Sequence, residues 1–148
     1  MNQDDDFIKE TSEHWFFGKD SGGDMRLREN IEAMWERAER MGAVMLVTAN
    51  GSIDVSGGPN EQEENNAQLH YCEVVAAVGA LAVGGAFVLK MLTLFEHSSI
   101  GLVHLLSGLF EYTSICKPAM SNPSNSEIYL GTQFIHHCRF QKGAYMTR

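Results

Sequence analysis

Helical and strand-like patterns alternate along the chain, and this order restricts the fold more than any other feature. Residues 26–40 form a helical pattern whose apolar face consists of Ile31, Met34, Trp35 and Ala38. An apolar run of strand length follows at 43–49, then a predicted helix over 61–83 and a second strand over 86–90. Strands separated by helices are joined by crossovers, which make them parallel neighbours. The sequence therefore predicts an α/β fold with a mainly parallel sheet and helices on both faces.

The second half of the chain continues with one more helix and two more strands. The helix runs from Ser98 or Ser99, as its cap, to Phe110, and its core face is predicted to contain Leu102, Leu105, Leu106 and Leu109. The strands are predicted at 111–116 and 126–130, on either side of the loop "KPAMSNPSNSE". At the start of the helix over 61–83, Asn60 and Glu63 have the spacing of a capping box.

The uncharged run at 74–89 raises the question of a membrane span. It is shorter than the roughly 20 residues that cross a bilayer. Gly84-Gly85 also interrupts it, and Lys90 follows it. We therefore predict a buried helix end followed by a buried strand, and no contact with a membrane. The acidic residues in 1–12 are predicted to form a flexible terminus.

Composition narrows the classes of function. A length of 148 residues suits one domain, and a net charge of −8 argues against a broad basic surface that grips phosphates. Cys72, Cys116 and Cys138 are too widely spaced for a disulfide framework or a zinc knuckle, which favours a reducing compartment. The run "HHC" at 136–138 has no second group of ligands to complete a metal site, so no metal is predicted.

The dipeptide Asn50-Gly51 ends the first apolar run and is a strong hairpin signal. A hairpin needs a second strand immediately after the turn, but the segment that follows here is a polar loop and then a helix. We therefore expect Asn50 to lie in a loop at the carboxyl edge of a strand, where open α/β sheets bind their ligands.

Four stretches together resemble the FtsJ-like RNA ribose 2′-O-methyltransferases. They are "HWFFGKDSGGDM" (14–25), "LVTANGSID" (46–54), "GGAFVLKMLTLFEH" (84–97) and "CKPAMSNPSNSEIYL" (116–130). Within that family they most resemble the cap-specific mRNA enzymes, and "LHYCEVVAA" and "LKMLTLFEHSSIGL" are similar to those that methylate the second transcribed nucleotide. The resemblance covers roughly residues 13–130. It implies the carboxyl-terminal part of a Rossmann-like sheet that binds S-adenosylmethionine, and capped mRNA as the partner.

The resemblance also implies roles for individual residues. The family's active site is a Lys-Asp-Lys-Glu tetrad, in which Lys90 matches the second lysine, the proton acceptor, and Glu127 matches the closing glutamate. Asn50 stands where the family has the aspartate. The positions that match cofactor contacts are Asp24, Met25 and Asn50. The positions that match contacts with capped RNA are Asn60, Glu61, Gln62 and Asn125.

The chemistry accounts for these residue types. A ribose 2′-hydroxyl is a poor nucleophile, so its methylation needs a base for the proton and a geometry aligned for in-line displacement. A lysine serves as this base only when burial and a second nearby cation lower its pKa. Neighbouring carboxylates then hold the ammonium groups in place.

This sequence departs from the family at two points. "TANGS" replaces "TADGS", so Asn50 keeps the size of the catalytic aspartate but not its charge. Residues 1–42 match neither the family's glycine-rich cofactor loop nor its first catalytic lysine, and the tail from 131 onward lacks the expected apolar strand. We therefore interpret 1–148 as a single, truncated methyltransferase domain, and we expect it to bind S-adenosylmethionine weakly or not at all.

Two functions follow from the resemblance. The first is an mRNA cap 2′-O-methyltransferase, acting in the nucleus and cytoplasm. The second is a catalytically inactive fragment or pseudoenzyme that retains part of an RNA-binding surface.

Overall fold

The computed structural model describes residues 3–53, 62–119, 121 and 126–135. The helices are α1 (Gln3–Glu10), α2 (Arg28–Met41), α3 (Gln62–Ala80) and α4 (His97–Leu109), with a short 3-10 helix at Ser12–His14. The strands are β1 (Val44–Ala49), β2 (Leu81–Met91), β3 (Phe110–Cys116) and β4 (Ile128–Ile135). The alternation predicted from the sequence is confirmed in type and order. The segment predicted to be a flexible acidic terminus contains α1.

The four strands form one sheet in the order β1-β2-β4-β3. β1 and β2 are parallel, as predicted, whereas β4 lies between β2 and β3 and is antiparallel to both. The prediction of a mainly parallel sheet is therefore wrong for β4. Only residues 117–127 separate β3 from β4, fewer than the dozen or more that a parallel crossover needs, and strands joined by a shorter segment pair antiparallel. β4 also continues to Ile135, whereas the strand was predicted to end at 130; the tail after Ile135 lies outside the described residues.

The hydrophobic core lies on one face of the sheet. Phe87, Leu89 and Met91 alternate along β2 with residues of the opposite face, and all three are fully buried. They pack against α3 and α4, whose buried residues in this core are Val74, Ala77, Val78, Leu102 and Leu106. Among the described residues both helices therefore cover the same face, and the prediction of helices on both faces is not met.

The junction between α3 and β2 lies earlier than the sequence pattern indicates. The helix ends at Ala80 and the strand begins at Leu81, although helix was predicted through Val83. Gly84 has a φ of +81°, a conformation that a helix interior does not allow. The pairing register with β1 shifts here, between Val44 and Leu46. Residues 81–83, which the apolar pattern assigned to the helix, therefore belong to an irregular part of β2.

The amino end of α4 is held by a distant side chain. Glu96 is the N-cap residue, without a side-chain capping bond of its own, so neither Ser98 nor Ser99 caps the helix as predicted. The Glu96 N–H instead donates to Oε1 of Glu63 (2.9 Å) in α3. A carboxylate at this end is favourable because its negative charge is attracted to the positive end of the helix dipole. The predicted capping box of Glu63 with Asn60 is not tested, because Asn60 lies outside the described residues. Leu105, predicted for the core face, is exposed.

No helix in the described part of the chain has the length and apolar character needed to cross a membrane. The apolar run that raised this question is divided between α3 and β2.

α2 packs on α3 through an apolar cluster in which Trp35 is the largest side chain. Trp35 is almost fully buried, and its indole N–H donates to the carbonyl oxygen of Ala76 (2.9 Å). One turn further along α3, the indole covers Gly79, where a Cβ atom would lie 2.3 Å from the ring. The close approach of the two helices therefore requires glycine at position 79.

This packing predicts opposite effects of the same substitution in two helices. Gly79→Ala should lower the free energy of unfolding, because overpacking of a fixed side chain typically costs about 1–3 kcal/mol. Gly101→Ala in α4 should raise it by up to about 1 kcal/mol, because alanine is the better helix former and no atom lies within 4 Å of the added methyl group. Urea denaturation of the two variants and the wild type measures both effects. A stabilised Gly79→Ala variant would contradict the described packing.

Candidate active site

Asn50 and Lys90 lie at the carboxyl ends of the two parallel strands, at the same edge of the sheet. Asn50 directly follows β1, and Lys90 is the next-to-last residue of β2. Ala49 of β1 pairs with Leu89 of β2, so the next residues along the two strands are Asn50 and Lys90. This confirms the prediction that the two strands are parallel neighbours, and their pairing brings Asn50 and Lys90 to one edge of the sheet. Asn50 is exposed, while Lys90 is partly buried.

The backbone at Asn50-Gly51 does not form the hairpin turn that its sequence signals. A type I′ turn needs positive φ at both central residues, and neither Asn50 nor Gly51 has one. Glycine is favoured at 51 for another reason. A Cβ atom there would lie 2.5 Å from Oε1 of Glu73 and 2.9 Å from the side chain of Leu69. The loop therefore lies directly against α3.

A carboxylate lies beside Lys90 on the face of the sheet opposite the core. The Lys90 Nζ is 3.8 Å from Oε1 of Glu127, and both side chains are about four-fifths buried, with 23% and 21% exposed. Tyr129 is the direct cross-strand partner of Lys90, and its hydroxyl donates to Oε1 of Glu127. This hydrogen bond raises the pKa of the Tyr129 hydroxyl. One carboxylate thus contacts both an ammonium group and a phenol.

A second lysine reaches the same glutamate from the end of β3. The Lys117 Nζ donates to the main-chain carbonyl oxygen of Glu127 (3.1 Å). We did not predict Tyr129 or Lys117 from the sequence, although the position of each in the sequence indicated that it lies near Glu127. Tyr129 lies two residues after Glu127, which is the spacing for one face of a strand. Lys117 follows β3 and Glu127 precedes β4, so antiparallel pairing of these strands brings them together.

Polar side chains on one face of α3 hold the loops at this edge. Glu63, Asn66, His70 and Glu73 are all buried, and their spacing of three, four and three residues places them on one face of the helix. We did not predict this polar stripe from the sequence. Its spacing was the available signal.

Glu63 binds the loop between β2 and α4. Its carboxylate accepts hydrogen bonds from the Thr93 hydroxyl and from the main-chain N–H groups of Phe95 (3.2 Å) and Glu96 (2.9 Å). Burial acts to raise its pKa, but these bonds and one from the Ser99 hydroxyl together leave the pKa of Glu63 below its ordinary value. The fold therefore favours the ionised carboxylate.

Asn66 and Glu73 bind the loop that follows β1. Oδ1 of Asn66 accepts the N–H of Ile53 (2.7 Å), and Oε1 of Glu73 accepts the N–H of Gly51 (2.8 Å). The amide of Asn66 also donates to the Gln62 carbonyl (2.7 Å), which fixes its orientation. Burial raises the pKa of Glu73, against the opposing effect of the Gly51 hydrogen bond.

The turn that contains Asp24 and Met25 is organised around a buried asparagine. Asn30 is fully buried, accepts the Lys19 N–H (2.7 Å) and donates to the main-chain oxygen of Asp24 (2.9 Å). The Asp24 carboxylate forms a bidentate pair with Arg26, with a shortest distance of 2.8 Å, and these hydrogen bonds lower the pKa of Asp24 to about 2. Met25 packs against the cluster around Trp35.

The structure brings together only some of the predicted site residues. Lys90, Glu127 and Asn50 lie at one edge of the sheet. The Asp24 turn lies near α3, because the adjacent Met25 packs against the cluster that contains Ala76. Gln62 opens α3 and is half-buried.

Some predictions concern residues outside the described ranges. These are the RNA contacts Asn60, Glu61 and Asn125, and the run "HHC" at 136–138. Within the described ranges, no three His, Cys, Asp or Glu side chains are grouped so that they could hold a metal ion.

The role of Glu63 leads to a prediction about stability and pH. Glu63→Gln should lower the free energy of unfolding at neutral pH by about 1.5–3 kcal/mol, the range for hydrogen bonds to a charged group. Because the folded state lowers the pKa of this carboxyl, the difference from wild type should be complete at neutral pH and disappear as the pH falls through that lowered pKa. Urea denaturation across this pH range tests it, with the exposed neighbour Glu64→Gln as the control. Equal stability of Glu63→Gln and wild type at neutral pH would show that the carboxylate does not hold the loop.

Known proteins resemble this chain over most of its length. The sequence profile of FtsJ-like methyltransferases matches residues 4–133. Cap-specific mRNA (nucleoside-2′-O-)-methyltransferase 2 from Pongo abelii is 45% identical over 130 residues, which are 88% of this chain and 17% of that protein. Cap-specific mRNA (nucleoside-2′-O-)-methyltransferase 1 from Mus musculus is 38% identical over 117 residues, 76% of this chain and 14% of that protein. The chain thus spans less than a fifth of the length of these relatives.

A solved structure shows the same fold. A protein assigned as a ribosomal RNA methyltransferase of Plasmodium falciparum superposes with a TM-score of 0.55 at 18% identity, over 82% of this chain and 61% of that chain. The Rossmann-like fold class that the resemblance implied is confirmed, although the sheet of this chain is mixed. The profile match and the fold agree, and the chain belongs to the FtsJ-like methyltransferase family.

Proposed function

We propose that this protein takes part in 2′-O-methylation of capped mRNA, with the edge formed by Asn50, Lys90 and Glu127 as its catalytic site. The observation that carries the proposal is the contact between Lys90 and Glu127, at 3.8 Å, beside the strand end where Asn50 lies. Lys90 and Glu127 match the family's tetrad, and Asn50 stands at the position of its aspartate. The relatives named as cap-specific mRNA methyltransferases support the same reaction.

FtsJ-like methyltransferases use S-adenosylmethionine, and the described residues suit parts of that molecule. Asp24 presents a carboxylate that is one-third exposed, on a turn fixed by the buried Asn30. A carboxylate of this kind can accept hydrogen bonds from the hydroxyl or amino groups of an adenosine. We assign Asp24, Met25 and Asn50 to this cofactor. When bound, S-adenosylmethionine supplies an electrophilic methyl group on a sulfonium sulfur.

Lys90 is the group that takes the proton from the ribose hydroxyl. Its side chain is about four-fifths buried, which places its nitrogen in a partly desolvated position at the sheet edge. In its neutral form the nitrogen has a lone pair for the proton, and general-base assistance of this kind contributes typically about 10²–10⁴-fold to a rate.

Glu127 orients Lys90 and is itself held by its neighbours. Its carboxylate accepts a hydrogen bond from the Tyr129 hydroxyl, and Lys117 binds its main-chain oxygen. Tyr129 and Lys117 therefore belong to the supports of the site, since they fix the residue that contacts Lys90.

Asn50 differs from the family's aspartate at this position, and this difference limits the proposed activity. Its amide can hydrogen-bond to a ligand, but it carries no charge to balance two lysines at the same edge. We expect this arrangement to hold the ammonium groups less firmly than a carboxylate would.

The contacts with capped RNA are assigned to Gln62, which the structure describes, and to Asn60, Glu61 and Asn125, which lie outside the described residues. We place the protein in the nucleus and cytoplasm, where its substrate occurs.

A chimera tests the proposal. This chain replaces the matching segment of the Pongo abelii relative, and transfer of labelled methyl groups to capped RNA is measured. We expect Asn50→Asp in the chimera to raise 2′-O-methyl transfer, because it restores the balancing charge. Lys90→Ala in the same background should lower the rate by about 10²–10⁴-fold. Nuclease digestion followed by mass spectrometry identifies the methylated nucleotide.

The control is Lys9→Ala, which removes an exposed lysine of α1 and should leave the rate unchanged. Undiminished transfer by Lys90→Ala would exclude Lys90 as the proton acceptor. A folded Asn50→Asp chimera that binds capped RNA without methylating it would favour the second candidate, a non-catalytic protein with a partial RNA-binding surface. The missing charge at Asn50 is the observation that favours that candidate.

A further inference from the structure

The loop after β1 contains a reactive pair that the proposed catalysis does not use. In Asn50-Gly51, a bond from the main-chain nitrogen of Gly51 to the side-chain amide carbon of Asn50 would close a five-membered ring. Glycine has no Cβ to obstruct this approach. The Asn50 side chain is exposed, and water therefore reaches it.

The reaction needs only the chain and water. The Gly51 nitrogen loses its proton and bonds to Cγ of Asn50, the bond from Cγ to Nδ2 breaks, and the nitrogen leaves as ammonia. Water then adds to one of the two carbonyl carbons of the cyclic imide. Cleavage of the new nitrogen–Cγ bond gives aspartate at position 50, and cleavage of the original peptide bond gives isoaspartate. No atom is oxidised or reduced.

The structure holds the nucleophile of this reaction in a fixed place. The Gly51 N–H donates to Oε1 of Glu73 at 2.8 Å, and Glu73 belongs to the rigid helix α3. The Glu73 side chain is more than nine-tenths buried, and its other oxygen, Oε2, has no hydrogen-bond partner among the described residues. Leu69 and Glu73 also lie so close to Gly51 that even a Cβ atom would overlap them.

We propose that Asn50-Gly51 is a self-modification site at which Asn50 converts to aspartate, and that Glu73 controls the conversion by holding the Gly51 nitrogen. Ring closure removes the proton from the Gly51 nitrogen, so the hydrogen bond to Glu73 is lost. Among the described residues, the buried carboxyl group then has no partner on either oxygen. The contact with Glu73 therefore slows ring closure and keeps position 50 in the amide form.

The product matters because of where it forms. Aspartate at position 50 would supply the carboxylate that the family's tetrad has there, so conversion would change the charge at the sheet edge beside Lys90. Isoaspartate would insert a further backbone carbon between β1 and the loop. The consequence for methyl transfer rests on the proposed function, whereas the conversion itself and its control by Glu73 do not.

The test measures the conversion without any enzyme assay. The folded chain is incubated at neutral pH and physiological temperature, and the peptide containing position 50 is followed by mass spectrometry, with fragmentation that separates aspartate from isoaspartate. Glu73→Ala removes the acceptor and should convert about 10- to 100-fold faster than wild type, the factor expected for loss of a hydrogen bond to a charged group. Glu73→Gln keeps an oxygen acceptor and should convert more slowly than Glu73→Ala.

Two comparisons separate this effect from a general loss of stability. Glu63→Gln loosens a different loop on the same helix and should convert at the wild-type rate. Wild type unfolded in urea should convert at least tenfold faster than folded wild type, a comparison that holds even if Glu73→Ala does not fold. Equal rates for folded and unfolded wild type would overturn the proposal. A folded Glu73→Ala variant that converts no faster than wild type would overturn it too, and a slower rate would indicate that Glu73 promotes ring closure as a base.

Discussion

The buried polar face of α3 determines the geometry of the candidate site. Glu63, Asn66 and Glu73 extend from one rigid helix to main-chain N–H groups of two different loops. Buried polar groups must be paired, because an unpaired donor or acceptor in the interior costs about 1–3 kcal/mol. These bonds therefore fix the loop after β1 and the loop after β2 relative to each other. The apolar side of the same helix packs on the sheet through Val74, Ala77 and Val78, which ties the loops to the strand ends.

The sequence predicts the elements of this fold well, because its hydrophobic periods are clear. The helix at 26–40 and the strand at 43–49 are found within two residues of their predicted places, whereas β2 begins five residues before the predicted 86. The errors arise where tertiary contacts overrule local signals. Gly84 turns residues of a predicted helix into strand, and Glu63 replaces a local cap at α4. The antiparallel insertion of β4 depends on pairing between distant strands, which no local period records.

The candidate site was also predicted only in part. Resemblance to a family selected Lys90 and Glu127, and the structure places them 3.8 Å apart. The resemblance did not select Tyr129 or Lys117, because their contacts with Glu127 depend on the register of β4 against β2 and β3. Asn50-Gly51 is instructive because its hairpin signal is local and strong. The glycine is there for close contact with Glu73 and Leu69, and this contact is visible only in three dimensions.

Amide hydrogen exchange tests the central claim most directly, namely that side chains of α3 fix both edge loops. It follows the N–H groups of Gly51, Ile53, Phe95 and Glu96 in the folded protein, each of which donates to a buried side chain of α3. The account predicts that all of them exchange far more slowly than in the unfolded chain, although they lie in loops. Exchange of these amides at unfolded rates, while the amides of β2 remain protected, would show that α3 does not hold the loops.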